Sequence, residues 1–269
     1  MAEEGTSQPH RAPAEVIQID RAAALAAVVP EAPAHVVTPT ARQISTLLLT
    51  AQAYSMMILL EGISGIGKSA AVRRYAETHK AVHLAEMAPH SRGVWSLLDV
   101  LADSLRVGSH QGQAPHRVAA EIIAHLKQRP GTLLIIDEAQ HLEDAALEEV
   151  RCIHDQTSCG LALVGSITLF GRLAGNGRTD KMAQIRSRVS QRLSLKSVLA
   201  GDVEKILDAW QVKGSAERKF LAEIAKKPGA LRAMTKTLSL ALAAATGDGR
   251  KAASIQDLRE SWEMIGAIG

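Results

Sequence analysis

The stretch Met56-Met-Ile-Leu-Leu-Glu-Gly62-Ile-Ser-Gly-Ile-Gly-Lys-Ser69 joins a short apolar run to a glycine-rich turn that ends in lysine and serine. Residues 62–69 match the pattern G-x-x-x-x-G-K-S, and residues 68–79 have helical spacing. Glycines let the backbone wrap around a phosphate with its N–H groups pointing inward, and the start of the next helix adds partial positive charge. The stretch therefore predicts a strand, a phosphate-binding loop and a helix.

The lysine and serine that end this loop indicate its ligand. In loops of this pattern the lysine reaches the β- and γ-phosphates of a nucleotide, and the hydroxyl binds Mg²⁺. The turn also fits the dinucleotide pattern Gly65-x-Gly67-x-x-Ala70, with Glu86 about 20 residues further on. The lysine and serine argue against that alternative, because a dinucleotide loop does not require a lysine there. We expect ATP with Mg²⁺.

A second motif, Leu133-Leu-Ile-Ile-Asp137-Glu138, ends an apolar strand in two carboxylates. Asp137 would hold Mg²⁺ through water, and Glu138 would orient and polarise the attacking water. Acidic residues also favour helix N-termini, so the pair alone has a purely structural explanation. The phosphate loop upstream favours the catalytic interpretation.

Apolar strands alternate with helices through the middle of the chain. The pattern predicts helices at 40–54, 91–106, 115–128 and 144–157, and strands at 81–86, 132–136, 161–165 and 193–195. Such alternation is typical of an α/β fold with a three-layer parallel sheet core. After Ala200 only helical spacing remains. We therefore predict a mobile Ala- and Pro-rich arm at 1–38, a nucleotide-binding core at 39–198 and a small helical lid domain at 199–269.

Charge is concentrated in one segment, although the net charge of the chain is only +3. Residues 172–196 hold seven basic side chains against one acidic side chain. Such a cluster suits a phosphate-rich partner, with a solvated surface stretch as the alternative. Aromatic residues make up only 3% of the chain, which argues against base stacking and so against a dedicated single-strand binder.

Other protein classes are excluded by composition. No stretch reaches the roughly 18 uninterrupted apolar residues of a membrane helix, and the acidic start does not resemble a signal peptide. We expect a soluble cytoplasmic protein, without a membrane partner. Cys152 and Cys159 cannot form a disulfide framework or a zinc site by themselves, and seven residues apart on a predicted helix they could pack on one face.

Together these motifs resemble those of AAA+ ATPases. The segments that carry the resemblance are the phosphate loop, Ile135-Ile-Asp-Glu-Ala-Gln-His-Leu142, Gly165-Ser166, Ser187-Arg188 and Pro228-Gly-Ala-Leu-Arg232. More narrowly, Asp208-Ala-Trp-Gln211 and Lys227-Pro-Gly-Ala-Leu-Arg232 resemble the phage Mu transposition protein B family of transposon target-selection ATPases. The likeness covers residues 40–266.

The resemblance implies roles for three further side chains. Ser166 resembles the sensor 1 residue, where the Mu protein is expected to have asparagine, so the shorter serine implies slow hydrolysis or a different water geometry. Arg232 resembles the sensor 2 arginine. Arg188 resembles the arginine finger that reaches the ATP of a neighbouring subunit, with Arg186 and Arg192 as competitors. The predicted catalytic residues are Glu138, Lys68, Ser166, Arg188 and Arg232. The predicted nucleotide contacts are Gly62, Ile63, Ser64, Gly65, Ile66, Gly67, Lys68, Ser69, Ala70, Asp137 and Arg232, with Ser69 and Asp137 holding the metal.

The resemblance also implies a DNA-binding oligomer. Such proteins form filaments or rings on double-stranded DNA, present that DNA to a transposase, and disassemble when ATP is hydrolysed. The Mu protein carries a helix-turn-helix domain before its ATPase, for which 38 residues are too few, so we expect the core itself to contact DNA phosphates. The candidate contacts are Arg92 in the loop Met87–Gly93, and Arg172, Arg178 and Lys181 in the basic segment.

Two other functions fit the same motifs. One is a helicase loader or the AAA+ ATPase of a secretion apparatus, where the Asp-Glu-Ala-Gln-His-Leu string also occurs. The other is a nucleotide-gated interaction switch that hydrolyses ATP poorly. The choice between filament and ring stays open.

Overall fold

A five-stranded parallel sheet forms the centre of this computed structural model, which describes residue 33 and residues 35–108, 112–174 and 180–266. The strands are β1 (Met57–Gly62), β2 (Val82–Glu86), β3 (Leu133–Asp137), β4 (Gly160–Gly165) and β5 (Val189–Leu195). They lie in the order β2-β3-β4-β1-β5, and every neighbouring pair is parallel. The predicted α/β fold with a parallel sheet is confirmed.

The helices alternate with these strands and then continue alone. They are α1 (Pro39–Ala53), α2 (Lys68–Thr78), α3 (Val94–Leu105), α4 (Pro115–Lys127), α5 (Asp144–Thr157), α6 (Ile167–Ala174), α7 (Asp180–Arg188), α8 (Ala200–Ala209), α9 (Ser215–Ala225), α10 (Ala230–Gly247) and α11 (Ile255–Gly266). A short 3₁₀ turn, Ala139–His141, follows β3. In the described residues no helix is long and apolar enough to cross a membrane.

The two faces of the sheet carry separate hydrophobic cores. Alternate residues of each central strand point to opposite faces, so Met57 and Leu59 pack with α3, α4 and α5, whereas Ile58 and Leu60 pack with α1 and α2. All residues of β1, β3 and β4 are buried. Strands covered on both faces must be almost wholly apolar, which explains why their runs were recognisable in the sequence.

Two sequence-based expectations were wrong in this region. Strand β5 begins at Val189, four residues before the predicted start at residue 193, because it is an edge strand whose exposed side chains interrupt the apolar pattern. Cys159 does not share a helix with Cys152. Helix α5 ends at Thr157, since Ser158 takes a left-handed conformation, and Cys159 lies buried just before β4.

A buried carboxylate joins the first helix to the C-terminal helices. Thr38 caps α1 by accepting a hydrogen bond from the N–H of Ala41. Thr40, in the first turn of α1, donates from its backbone N–H and its hydroxyl to the carboxylate of Asp202 in α8, at 2.8 and 2.6 Å. Asp202 also accepts from the N–H of Leu199 at 3.2 Å and is fully buried. Three donors therefore satisfy this carboxylate in the interior.

Helices α8 to α11 enclose a third core of their own. Its largest buried members include Leu207, Leu221 and Met234. Val36 packs against this core although it belongs to the predicted mobile arm, most of which lies outside the described residues. The end of the arm, residues 35–38, therefore contacts the C-terminal helices.

We expect Asp202→Ala to lower the free energy of unfolding by about 2 kcal/mol or more, since it leaves the two buried donors of Thr40 without an acceptor. Asp208→Ala is the matched control on the same helix, because Asp208 is exposed and pairs with Arg218 at the surface. The control should cost less than about 1 kcal/mol. Urea denaturation measures both variants, and equal losses would contradict the role given to Asp202.

Candidate nucleotide-binding site

A glycine-rich loop connects β1 to α2 at the carboxyl edge of the sheet. Gly65 and Gly67 have φ values of +80° and +99°, which only glycine adopts readily. No side chain caps the start of α2, so the N–H groups of its first turn are available to a ligand. The loop is therefore shaped to place backbone donors around an anion, as its sequence predicted.

Lys68 lies at the start of α2 with its ammonium group folded over the loop. Its Nζ donates to the backbone oxygens of Gly62 and Ile63 at 2.7 and 3.0 Å. Burial lowers the pKa of Lys68, and the charge of Arg232 acts in the same direction, whereas Glu138 and Asp137 oppose both. The ammonium is thus a partly desolvated cation beside two acids, well suited to a polyanion.

Asp137 ends β3 as a buried carboxyl group. Its Oδ1 accepts the N–H of Glu138 at 2.9 Å, whereas its buried Oδ2 has no hydrogen-bond partner among the residues that the structure describes. Burial raises the pKa of Asp137, and the nearby Ser69 hydroxyl and the Glu138 N–H act against this shift. A buried acidic oxygen beside a serine hydroxyl is a donor set that fits Mg²⁺.

Glu138, Gln140 and Ser166 line a cavity together with the glycine-rich loop. The Ser166 hydroxyl lies 2.6 Å from that of Thr168, and its backbone N–H donates to the side chain of Gln140 at 3.0 Å. Gln140 also donates to the carboxylate of Glu138. The motif analysis did not assign a role to Gln140, although it lies inside the quoted Asp-Glu-Ala-Gln string.

The C-terminal helices close the cavity above the loop. The N–H of Arg232, in the first turn of α10, donates to the backbone oxygen of Gly65 at 3.1 Å. The approach is so close that a Cβ on Gly65 would lie 2.0 Å from the oxygen of Gly229. Gly65 is therefore required both by its φ angle and by the packing of α10 against the loop.

The cavity between sheet and helices has a volume of about 840 Å³. Its lining contains the loop, Lys68, Ser69, Ala70, Glu138, Ser166 and Arg232. It also contains His35 and Val36 from the end of the arm, and Ile206, Trp210 and Leu240 from the C-terminal helices. The sequence analysis missed this apolar part, because its members come from segments that are distant in the chain.

The three arginine candidates for the finger lie away from the cavity lining. Arg188 donates from Nε to Asp155 of α5 at 3.0 and 3.3 Å, and its side chain is 50% exposed. Arg192 pairs with the fully buried Glu61 of β1, with 3.1 Å between Nε and Oε1. Arg186 is exposed on α7. All three arginines are exposed, and Arg188 and Arg192 each pair with a carboxylate of the same chain.

Of the four predicted DNA contacts, the structure describes the side chain of Arg92 alone. Arg92 is exposed, lies 3.7 Å from the carboxylate of Glu143, and accepts the Glu143 N–H with its backbone oxygen at 2.9 Å. Arg178 lies outside the described residues, as do the side chains of Arg172 and Lys181.

The sheet order excludes the dinucleotide alternative. Strand β2, which Glu86 ends, is separated from β1 by β3 and β4, so Glu86 does not lie beside the loop in the way that pattern requires. Glu86 instead accepts hydrogen bonds from Arg73 of α2 at 2.8 and 3.1 Å. The strand that ends in Asp137 is the one closer to β1.

Known proteins resemble this chain over most of its length. The ATP-dependent target DNA activator B of Escherichia phage Mu is 35% identical over 227 residues, which are 84% of this chain and 72% of that protein. The chain belongs to the Mu B transposition protein family. The family model described as Mu B transposition protein, C terminal, matches residues 187–264, and an AAA domain model matches residues 52–173. The family predicted from the motifs is confirmed.

Two further similarities concern the family and the fold. The Mu-like prophage FluMu DNA transposition protein B of Haemophilus influenzae is 32% identical over 211 residues, which are 77% of this chain and 72% of that protein. Among solved structures, the Aeropyrum pernix ORC2 protein in its ADPNP–ADP complexes gives a TM-score of 0.66 at 15% identity, over 86% of this chain and 70% of that one. At that identity the second similarity concerns the fold alone.

We expect Gly65→Ala to displace α10 from the loop, because the added methyl group meets the oxygen of Gly229. Gly67→Ala is the matched control, since Gly67 also has a positive φ but a Cβ there would meet nothing within 4 Å. Hydrogen exchange at the Arg232 amide, which donates to Gly65, should become faster in the first variant. An equally protected Arg232 amide in both variants would contradict the packing described.

Proposed function

We propose that this chain is an ATP-dependent, double-stranded-DNA-binding oligomer that selects target DNA and activates a transposase, with ATP hydrolysis driving disassembly. The observation that carries the proposal is the meeting of Lys68, Ser69, Asp137 and Glu138 at one edge of the sheet, in a chain of the Mu B family. Two relatives of the chain have names that describe ATP-dependent activation of target DNA. The AAA domain match supports ATPase activity.

The site residues divide the chemistry between them. The loop from Gly62 to Ala70 would hold the phosphates through backbone N–H groups, and Lys68 would leave the oxygens of Gly62 and Ile63 to reach the β- and γ-phosphates. Ser69 and Asp137 would hold Mg²⁺, which neutralises charge on the phosphates when bound. Glu138 would accept the proton of the attacking water, with Ser166 and Arg232 facing the γ-phosphate.

Arg188 is our choice for the arginine finger. Its Nε side is held by Asp155, whereas its Nη atoms make no hydrogen bond with any residue that the structure describes. Partial burial acts to raise the pKa of Asp155, but Arg188 and Arg151 lower it overall, which favours the ionised partner. Because Asp155 holds the Nε side of the Arg188 guanidinium, its Nη atoms can reach a phosphate bound to a second copy of the chain.

DNA binding by phosphate contacts agrees with the charge distribution. The basic segment 172–196 and the loop that holds Arg92 are the candidate surfaces, and backbone contacts of this kind are largely independent of sequence. Because each phosphate contact releases counterions, binding should weaken steeply as the salt concentration rises.

We expect ATP-dependent filaments or rings on long duplex DNA at low salt, visible by electron microscopy. Lys68→Ala should bind no nucleotide and form no assembly, whereas Lys80→Ala, which changes an exposed lysine outside the cavity, should behave like the parent. Glu138→Gln should assemble but lose hydrolysis about 10²- to 10⁴-fold. Absence of assembly by the parent would refute the proposed function, and unchanged turnover in Glu138→Gln would indicate a switch instead of an ATPase.

The finger is tested by mixing two inactive variants. The Glu138→Gln variant lacks the base, and the Arg188→Ala variant lacks the finger. A mixed oligomer therefore contains some interfaces at which an intact Glu138 of one subunit faces an intact Arg188 of the next. An equimolar mixture should recover about a quarter of parental hydrolysis if the interface is heterologous and Arg188 acts between subunits. Arg186→Ala, two residues away on α7, serves as the control and should hydrolyse alone. No recovery on mixing would place the finger elsewhere.

A further inference from the structure

Gln140 lies between the ends of two neighbouring strands, in the 3₁₀ turn that follows β3. Its Nε2 donates to Oε2 of Glu138, and its Oε1 accepts a hydrogen bond from the backbone N–H of Ser166 at 3.0 Å. All three residues line the nucleotide cavity. One side-chain amide therefore joins the carboxylate after β3 to the backbone after β4.

The surroundings determine which way this amide faces. A backbone N–H is only a donor, so the atom opposite Ser166 must be the amide oxygen, and the NH₂ group must then face Glu138. Gly165 makes room for the oxygen, because a Cβ at that position would lie 2.5 Å from Oε1 of Gln140. The end of β4 thus sets the direction of the donor that Glu138 receives.

Glu138 needs support of this kind. Its backbone is left-handed, with φ 55° and ψ 34°, a conformation that costs a non-glycine residue about 1–2 kcal/mol. Two further hydrogen bonds hold this backbone, from its own N–H to Oδ1 of Asp137 and from the N–H of His141 to its carbonyl oxygen. The Glu138 side chain has several rotatable bonds beyond this fixed backbone. A hydrogen-bond donor in a fixed place, the Gln140 amide, favours the rotamer whose carboxylate reaches it.

We propose that Gln140 is a positioning residue that holds the Glu138 carboxylate where it acts on the attacking water and ties that place to the end of β4. The proposal rests on the proposed function, in which Glu138 is the base. Gln140 neither gives nor takes a proton itself. Its amide acts through the carboxylate, so its loss should affect the chemical step more than nucleotide binding.

Gln140→Ala removes the bridge and should lower kcat about 10-fold or more, while KM for ATP stays within about twofold. Gln140→Glu keeps an acceptor for the Ser166 N–H but places a second carboxylate beside Glu138. The two carboxylates repel each other, so kcat should fall in this variant as well, again with KM for ATP within about twofold. The other charged groups near this site, Lys68 on α2, Asp137 on β3 and Arg232 on α10, are unchanged in both variants.

A matched control separates positioning from general stability. Gln52 also forms a bridge, donating to the oxygens of Lys80 and Gly131, but it lies outside the cavity lining. Gln52→Ala should lower stability in thermal unfolding and leave kcat and KM for ATP at parental values. A purely structural Gln140 would give the same result as this control.

A second readout does not depend on turnover. In the nucleotide-free protein, the carboxyl ¹³C resonance of Glu138, assigned through its loss in Glu138→Gln, should change its chemical shift in Gln140→Ala and keep the parental shift in Gln52→Ala. A parental Glu138 resonance together with parental kcat in both Gln140 variants would overturn the proposal while leaving the ATPase intact. Faster turnover in Gln140→Ala would also overturn it, because the bond would then restrain Glu138. If the parent hydrolyses no ATP, or Glu138→Gln hydrolyses like the parent, the proposed base fails and the role of Gln140 fails with it.

Discussion

The backbone hydrogen bonds between β1, β4 and β3 are the constraint on which the rest of the site depends. Glu61 pairs with Gly165 across one side of β4, and Ile136 pairs with Leu163 across the other. These strands are buried on both faces, so a slip of one residue would turn every side chain to the wrong core and leave backbone groups without partners. The ends of the three strands must therefore emerge at one edge, where the glycine loop, Asp137 and Ser166 lie side by side.

Lys68 and Asp137 meet at this edge, and burial disfavours the charged form of each side chain. Burial lowers the pKa of Lys68 and raises the pKa of Asp137. The charge of Asp137 offsets part of the shift of Lys68, and the Ser69 hydroxyl offsets part of the shift of Asp137. The buried Oδ2 of Asp137 has no hydrogen-bond partner within the described ranges, and Lys68 is held only by backbone oxygens. The phosphates of a bound triphosphate would give Lys68 a partner of opposite charge, and the divalent cation would do the same for Asp137. These pairings give a physical reason for the proposed ligand to bind tightly at the loop.

Hydrogen bonds join the C-terminal helices to the core at Thr40 and at Gly65. Thr40 donates to the buried carboxylate of Asp202, and the Arg232 amide donates to the oxygen of Gly65. A ligand that moves the loop must therefore also move or strain these helices. The Mu B family model covers residues 187–264, which include Arg188 and most of the same helices, whereas the phosphate loop belongs to the more general AAA domain match.

The sequence by itself determined the alternation of strands and helices, the phosphate loop and the acidic pair, because each is a contiguous pattern set by local geometry. The edge strand β5 was only partly predicted, since its exposed side chains hide the apolar pattern. Only the tertiary structure decided the partners of Gln140, Thr40 and Arg192, which lie 26, 162 and 131 residues away in the chain. Short-range periodicity carries no information about such pairs. They exist because strand register and the packing of helices on the sheet bring distant segments within hydrogen-bond distance, and the burial of their polar groups then requires a partner.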